Sequence, residues 1–163
     1  MRGKDVAKLA LASTNETTMM FLNDLADADF LSRPVPSANH IAWQLAHLIV
    51  AEKALLEGFL PEVVYPEIPA GIVALGNDRT GKLEPDKSVT KASLLDAMKK
   101  MRAATITAVD KLSDDALDIP NTKIMQEFAP NLGAMLILVA NHTLMHGGQF
   151  TVVRRALGKP VVF

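Results

Sequence analysis

Four long segments with helical periodicity constrain the fold of this chain more than any other feature. In each of them, apolar residues recur at steps of three and four, which is the period of an α-helix that buries one face. The predicted helices cover residues 6–25, 39–57, 91–112 and 131–157. The alternation of apolar and polar residues that marks a half-buried strand is scarce. We therefore predict an all-α protein whose single domain, residues 1–163, is a four-helix bundle.

Residues with short polar side chains stand where three of these helices begin. Ser37 or Asn39 is expected to cap the second helix, because such a side chain accepts a hydrogen bond from a free backbone amide of the first turn. Thr90 and Asn131 have the same position before the third and fourth helices. These residues define the predicted helix starts.

The link between the second and third helices is long and has no period. Gly58 and Pro61 are expected to end the second helix. Residues 61–86 contain four prolines and three glycines, which interrupt regular structure. We predict a long crossover loop that can hold one helical turn near residues 72–75. Connections of this length are usually functional or mobile.

The charge balance argues against one class of partner. The chain has 17 basic and 18 acidic residues, a net charge of −1. Nucleic-acid binding requires a basic face, so we expect no nucleic-acid partner. Basic residues gather at Lys99, Lys100 and Arg102 and again at Arg154 and Arg155. We interpret both groups as solvated helix faces.

Cysteine is absent from the sequence, which excludes disulfides, thiolate metal sites and a cysteine nucleophile. The first eight residues are charged and no apolar stretch with a cleavage site follows, so we expect no signal peptide. The longest apolar run, residues 132–140, is much shorter than the roughly 20 residues that a membrane span needs. We predict a cytoplasmic protein with no membrane partner.

Two of the four histidines, His142 and His146, lie four residues apart in the last predicted helix. Residues at this spacing share one helix face and are separated by roughly 6 Å along the axis. Neutral imidazole is a common metal ligand, but a third ligand is needed. The second helix offers His40 and His47, two turns apart, of which the more apolar flanks favour His47. The spacing alone leaves open that these are ordinary core histidines.

Two motifs resemble those of the DinB-like family. Residues 36–48, PSANHIAWQLAHL, resemble its second-helix motif, and residues 142–149, HTLMHGGQ, resemble its fourth-helix motif. Their order, their separation and the chain length match as well. The resemblance implies a DinB-like four-helix bundle with a long crossover loop, often a homodimer, that holds a divalent metal on three histidines. By position these are His47, His142 and His146, and zinc, nickel, iron and manganese all remain candidates for the ion.

Three further residues are candidates for a pocket beside this metal. They are His40, Trp43 and Gln149. For His40, a place at the pocket mouth and plain solvent exposure are both open. The crossover loop is expected to form part of the rim.

A metal held by three imidazoles keeps an open position, as catalytic sites do. That position can bind a water for hydrolysis or a thiolate for nucleophilic chemistry. The resemblance favours a thiol, because characterised relatives include thiol-dependent S-transferases and a mycothiol-dependent isomerase. The thiol would be a low-molecular-weight cosubstrate that acts on a small-molecule substrate. A metal-dependent hydrolase and a non-catalytic metal-stabilised binding module are the alternatives. No general base is evident, since Glu52 is expected to face away from His47.

Overall fold

Five α-helices form the fold over the described residues, 1–60 and 62–162 of the computed structural model. They are α1 (Gly3–Leu22), α2 (Ile41–Leu56), α3 (Ala70–Asn77), α4 (Lys91–Lys111) and α5 (Leu132–Ala156). Short 3-10 turns cover Asp27–Leu31 and Asp114–Asp118. Within these residues, the only β-type pairing is an isolated bridge between Pro120 and Asn131. The all-α prediction is therefore confirmed.

The four long helices pack as a bundle. Helix α1 packs against α4 and α5, and α2 packs against the same two helices from the other side. Helix α3 lies on the outside of α2 and belongs to the long crossover that joins α2 to α4. This arrangement confirms the predicted four-helix bundle with a long crossover loop.

The helix starts agree with the predicted caps at two of three places. The side chain of Thr90 accepts from the backbone amide of Ser93 at the start of α4. Asn131 caps α5. The expectation for α2 is wrong, because its cap is His40, whose imidazole accepts a hydrogen bond from the backbone amide of Trp43. Imidazole can replace the usual short side chain because one ring nitrogen is an acceptor when the ring is neutral.

The helix ends differ from the predicted ones by a few residues. Helix α1 covers Gly3–Leu22 rather than residues 6–25, since the chain turns into the 3-10 segment soon afterwards. Helix α2 ends at Leu56, just before Gly58. Pro61, which was expected to reinforce that end, lies outside the described residues.

The crossover contains more helix than predicted. In place of one turn near residues 72–75, it forms the eight-residue helix α3. Glycine permits α3 to approach α2 closely, because a Cβ at Gly76 would lie 2.4 Å from the carbonyl oxygen of Ala46. The sequence pattern missed this helix because its apolar face is short and its packing depends on a backbone contact with another helix.

Two arginines that were interpreted as solvated are buried. Arg154 pairs with Asp24 and donates to the backbone carbonyls of Phe21 and Pro160. Arg154 follows the buried Val153 on the inner face of α5. Its charge can be buried there because Asp24 and the two carbonyls compensate it. The interpretation of Arg154 as a surface residue was wrong.

Arg102 is the second buried arginine, and it links all four helices of the bundle. Its guanidinium forms a two-pronged ion pair with Glu52 of α2, with distances of 2.9–3.1 Å. It also donates to the carbonyl of Leu11 and the hydroxyl of Thr14 on α1, and to the hydroxyl of Thr143 on α5. The solvated interpretation was wrong here as well, because Arg102 shares the inner face of α4 with Met98, Thr105 and Val109.

This polar layer separates two apolar clusters. One cluster includes Leu45, Met98 and Phe150, and the other includes Leu11 and Met135. The bundle therefore has a charged layer at mid-height, with its donors and acceptors paired. None of the described helices is both long enough and apolar enough to cross a membrane.

Candidate metal centre

The bundle brings His47 of α2 together with His142 and His146 of α5. Their ring centroids are 4.9–5.5 Å apart. One nitrogen of each ring lies within 4.8 Å of the corresponding nitrogens of the other two. Nitrogens that bind one zinc-sized ion at about 2.1 Å are at most about 4.2 Å apart. Small side-chain adjustments are therefore enough for these three residues, the histidine cluster, to hold one metal ion.

A buried amide orients His146. The Nδ1 atom of His146 lies 3.0 Å from the side-chain oxygen of Gln44. The amide nitrogen of Gln44 donates to the backbone carbonyl of Asn39, so the side-chain oxygen is the atom that faces the imidazole. His146 therefore carries its proton on Nδ1 and presents Nε2 with a free lone pair. Hydrogen bonds of this kind set the tautomer and direction of metal-binding histidines.

An aromatic contact orients His47. The indole of Trp43 stacks on the His47 ring, with centroids 5.0 Å apart and planes that differ by 5°. The indole is itself fixed, since its N–H donates to the backbone carbonyl of Asp78 at 2.8 Å. Stacking at this distance restricts rotation of the imidazole. The crossover segment thus holds the His47 ring in place through Trp43.

Burial keeps the three imidazoles neutral. Desolvation, together with the neighbouring His142 and His47, lowers the pKa of His146 to about 3. Burial also lowers the pKa of His47 and that of His142. Neutral imidazole is the form that binds metals. At neutral pH the three imidazoles of the cluster are therefore uncharged, which is the form that can bind a metal ion.

These shifts predict that the metal-free protein loses stability in mild acid. The folded-state pKa of His146, about 3, is below its ordinary value of 6.5, so the unfolded chain binds more protons between these values. Stability is then complete above pH 6.5 and falls as the pH decreases toward 3. At pH 5, His146 alone should contribute a loss on the order of 2 kcal/mol.

Urea unfolding of the chelator-treated protein at pH 8 and pH 5 measures this loss. The matched control is His146→Gln, which keeps a partner for Gln44 but does not titrate. Its stability should fall less between the two pH values than that of the unchanged protein. Equal losses in both proteins would contradict the role of His146.

A cleft of about 710 Å³ opens beside the histidine cluster. His47 and His142 line it, whereas the more deeply buried His146 does not. Most of its wall is apolar and includes Val50, Ala51, Ala54, Leu55, Leu138 and Met145. Residues 76–79 of the crossover form one rim, and Ile124 and Met125 form another. The cluster therefore has one side that a small molecule can reach.

Comparison with known sequences decides the family. The sequence profile of the DinB superfamily matches residues 10–150. The chain belongs to the DinB superfamily. The match includes all three members of the histidine cluster, and the resemblance drawn from the two histidine motifs is confirmed.

A solved structure supports the fold of this DinB-superfamily protein. It is the crystal structure of a conserved protein from Enterococcus faecalis, with a TM-score of 0.68 and 15% sequence identity. The similarity covers 98% of this chain and 99% of that one. At this identity it shows a shared fold. No curated protein matches the sequence significantly.

The three pocket candidates have different positions in this DinB-superfamily chain. Trp43 lines the cleft and stacks on His47. Gln149 is exposed and is not among the cleft-lining residues. The buried face of α5 centres on Thr143 and His146, and Gln149 lies roughly 90° around the helix from that centre.

His40 is neither exposed nor part of the cleft wall. Its side chain is fully buried, and its Nδ1 atom accepts from the backbone amide of Trp43 at 2.9 Å. Its Nε2 atom lies 3.8 Å from a carboxylate oxygen of Glu84. Burial lowers the pKa of His40, as it does for the cluster. His40 therefore begins α2 and positions Trp43. It has neither the place at the pocket mouth nor the solvent exposure that were considered from the sequence.

Sequence reasoning missed three polar residues of this DinB-superfamily site. Gln44 orients His146, and its position one turn before His47 within an apolar helix was an available signal. Arg79 and Asn141 line the cleft. Asn141 directly precedes His142, but Arg79 lies in the crossover, where no pattern indicates which side chains face the cleft. Glu52 is paired with Arg102 and does not line the cleft, in agreement with expectation.

Proposed function

We propose that this protein is a divalent-metal-dependent enzyme that uses a small-molecule thiol for S-transfer or isomerisation. The observation that carries the proposal is the convergence of three neutral imidazoles at the wall of an open, mostly apolar cleft. Structural metal sites usually have four protein ligands and are closed. Here three ligands converge, and the cleft gives a small molecule access to their open side.

The residues of the site have distinct roles in this proposal. His47, His142 and His146 hold the ion. Gln44 and Trp43 keep two of the rings in the binding orientation. When bound, a divalent ion stabilises the thiolate form of a sulfur ligand and so supplies a nucleophile at neutral pH. The mostly apolar wall suits the hydrocarbon part of a substrate bound beside the ion.

The thiol must come from outside the chain, because the sequence has no cysteine. In S-transfer the sulfur forms a bond to an electrophilic carbon, the bond from that carbon to the displaced group breaks, and the thiol proton leaves with that group or passes to solvent. In isomerisation the sulfur adds to the substrate, and the same carbon–sulfur bond breaks again to release the thiol. A metal-bound water can act without a protein base, but a general base assists hydrolysis. Among the described residues that line the cleft, the one carboxylate is that of Asp78, which accepts hydrogen bonds from Thr80 and Leu83 within its own loop. The cleft therefore gives hydrolysis little assistance from a base.

Cobalt substitution tests the proposal. We expect the cobalt-loaded protein to develop a sulfur-to-metal charge-transfer band when a small thiol such as 2-mercaptoethanol is added. An electrophilic substrate such as chlorodinitrobenzene should then be consumed only when both thiol and metal are present. The negative control is His142→Ala, which removes a ligand at the cleft wall, and the matched positive control is His40→Asn, which keeps a cap on α2.

Three results are possible, and each has a clear meaning. A band together with thiol-dependent consumption supports the proposal. Hydrolysis of activated esters without thiol, lost in His142→Ala, supports the metal-dependent hydrolase instead. If metal removal lowers the melting temperature but neither reaction depends on metal, the ion is structural and the protein is a binding module.

We also propose that the protein is a homodimer. Helices α1 and α5 pack side by side, and each exposes apolar side chains: Val6, Leu9 and Met20 on α1, and Ile137, Leu144 and Val152 on α5. Exposed apolar side chains on two neighbouring helices are a feature of interfaces. A second copy of the chain fits a surface formed by the same two helices, because two-fold contacts pair identical patches.

Light scattering after size exclusion should therefore give twice the 17.6 kDa chain mass at micromolar concentration. Leu144→Glu should shift the mass toward one chain, because a carboxylate cannot be buried in this interface without a partner. The matched control is Val64→Glu, at an exposed valine of the crossover. A one-chain mass for the unchanged protein would contradict the dimer.

A further inference from the structure

Arg79 gives the cleft a cationic side chain. Among the described residues that line the cleft, only Asp78 and Arg79 are charged, and they are adjacent on the segment that follows α3. His142 and Asn141 of α5 also line the cleft. Arg79 lines the same cleft as His47 and His142. A ligand bound at the cluster therefore has a cation within its surroundings.

The neighbouring carboxylate, that of Asp78, accepts its hydrogen bonds from its own loop. One oxygen of Asp78 accepts from the backbone amide and hydroxyl of Thr80, at 3.0 and 2.6 Å, and the other accepts from the amide of Leu83 at 2.8 Å. These bonds lower the pKa of Asp78 to about 2. The Asp78 carboxylate is therefore a structural part of the loop, and its acceptor positions are already in use.

Arg79 has no ion-pair partner among residues 1–60 and 62–162. Glu84, an acid of the same segment, is already paired with Arg33. The backbone around Arg79 is well anchored, since the carbonyl of Asp78 accepts from the indole of Trp43 and the Asp78 side chain closes the loop. Within the described residues, Arg79 is thus an exposed side chain without an ion-pair partner, carried on an anchored loop at the wall of the cleft.

We propose that Arg79 binds a carboxylate carried by the small molecule that occupies the cleft. Guanidinium matches a carboxylate with two parallel hydrogen bonds, which gives direction as well as attraction. The apolar wall between the cluster and the rim fits an uncharged hydrocarbon portion. The ligand class is therefore a small molecule with an apolar body and a terminal carboxylate, and its reacting atom lies at the histidine cluster. The position of the reacting atom at the histidine cluster rests on the proposed function, whereas the binding of a carboxylate by Arg79, the anion subsite, does not.

The single tryptophan of the chain reports binding in the cleft. Trp43 lines the cleft, so a ligand that enters should change its fluorescence. We would titrate the protein, as purified and after chelation, with hexanoate and with its neutral analogue hexanamide. We expect hexanoate to bind about fivefold more tightly at low salt, the scale of a partly exposed ion pair. Added salt should reduce this preference, because it screens the charge.

Substitutions assign the preference to one residue. Arg79→Gln should remove the preference for hexanoate, and Arg79→Glu should reverse it. The matched control is Lys82→Gln, which removes a positive charge from the same segment at a residue that does not line the cleft. Lys82→Gln should retain the preference.

A second pair of probes separates this inference from the proposed function. In the cobalt-loaded protein, 6-mercaptohexanoate and 6-mercaptohexanol are compared by the charge-transfer band, which shows whether the carboxylate and the sulfur belong to one ligand. If the protein prefers hexanoate over hexanamide but shows no charge-transfer band, the anion subsite is supported and the thiol proposal is overturned. A band without any hexanoate preference overturns the subsite alone. The subsite is also overturned if hexanoate and hexanamide bind equally, if neither binds, or if the preference persists in Arg79→Gln.

Discussion

Replacing Arg102 with methionine should destabilise the protein by about 3–5 kcal/mol, because it leaves the Glu52 carboxylate buried without its partner. Both side chains are at most 5% exposed. The substitution also removes the donors to the carbonyl of Leu11 and the hydroxyls of Thr14 and Thr143. Since a domain of this size is stabilised by only about 5–15 kcal/mol, this single change should bring it close to unfolding.

Urea unfolding of the purified variants measures the effect. The matched control is the double variant Arg102→Met with Glu52→Met, which replaces the pair by apolar side chains of similar length. It should recover much of the lost stability, since the cost lies in the unpaired buried charge more than in the absence of the pair. If Arg102→Met alone is as stable as the unchanged protein, the Arg102–Glu52 ion pair is open to water.

Alanine at any member of the histidine cluster should lower the affinity for a divalent ion by more than about 100-fold. A change in the residues that merely orient a ligand already costs about 10–100-fold, and His47→Ala, His142→Ala and His146→Ala each remove a donor. The three variants should have similar effects because the three nitrogens converge on one point. Calorimetric titration of chelator-treated protein with zinc measures the affinities.

His40 provides the matched control for these three substitutions. It is a buried histidine on the same helix as His47, but its Nδ1 atom caps that helix. His40→Asn keeps an acceptor for the amide of Trp43, so it should retain metal affinity within a few-fold. A loss of affinity in His40→Asn with none in His47→Ala would mean that the ligand from α2 is assigned to the wrong turn.

The helices were predictable because their signals are local. Thr90 and Asn131 accept hydrogen bonds from amides three residues later, and the sequence shows each cap beside its helix. Helix α3 was not predicted because its stability depends on contact with α2, where Gly76 lies against the backbone of Ala46. A pattern within eight residues contains no information about such a contact.

The histidine cluster was predictable for a similar reason. Two of its members share one helix at a four-residue spacing, and the third stands in a motif that resembles a known family. Gln44 and Arg102 were not recognised, since burial of a polar side chain depends on partners that are distant in the chain: His146 for Gln44, and Glu52 for Arg102. Their helical spacing from buried neighbours was the only local sign.

The metal content of the unchanged protein, purified without chelator, is the most direct measurement of what the histidine cluster does. Elemental analysis by mass spectrometry gives both the identity of the ion and its ratio to protein. We expect about one divalent ion per chain, drawn from zinc, nickel, iron and manganese, all of which imidazole binds. Protein that is folded and dimeric but contains no such ion, and takes up none when zinc is supplied, would contradict the assignment of His47, His142 and His146 as a metal centre.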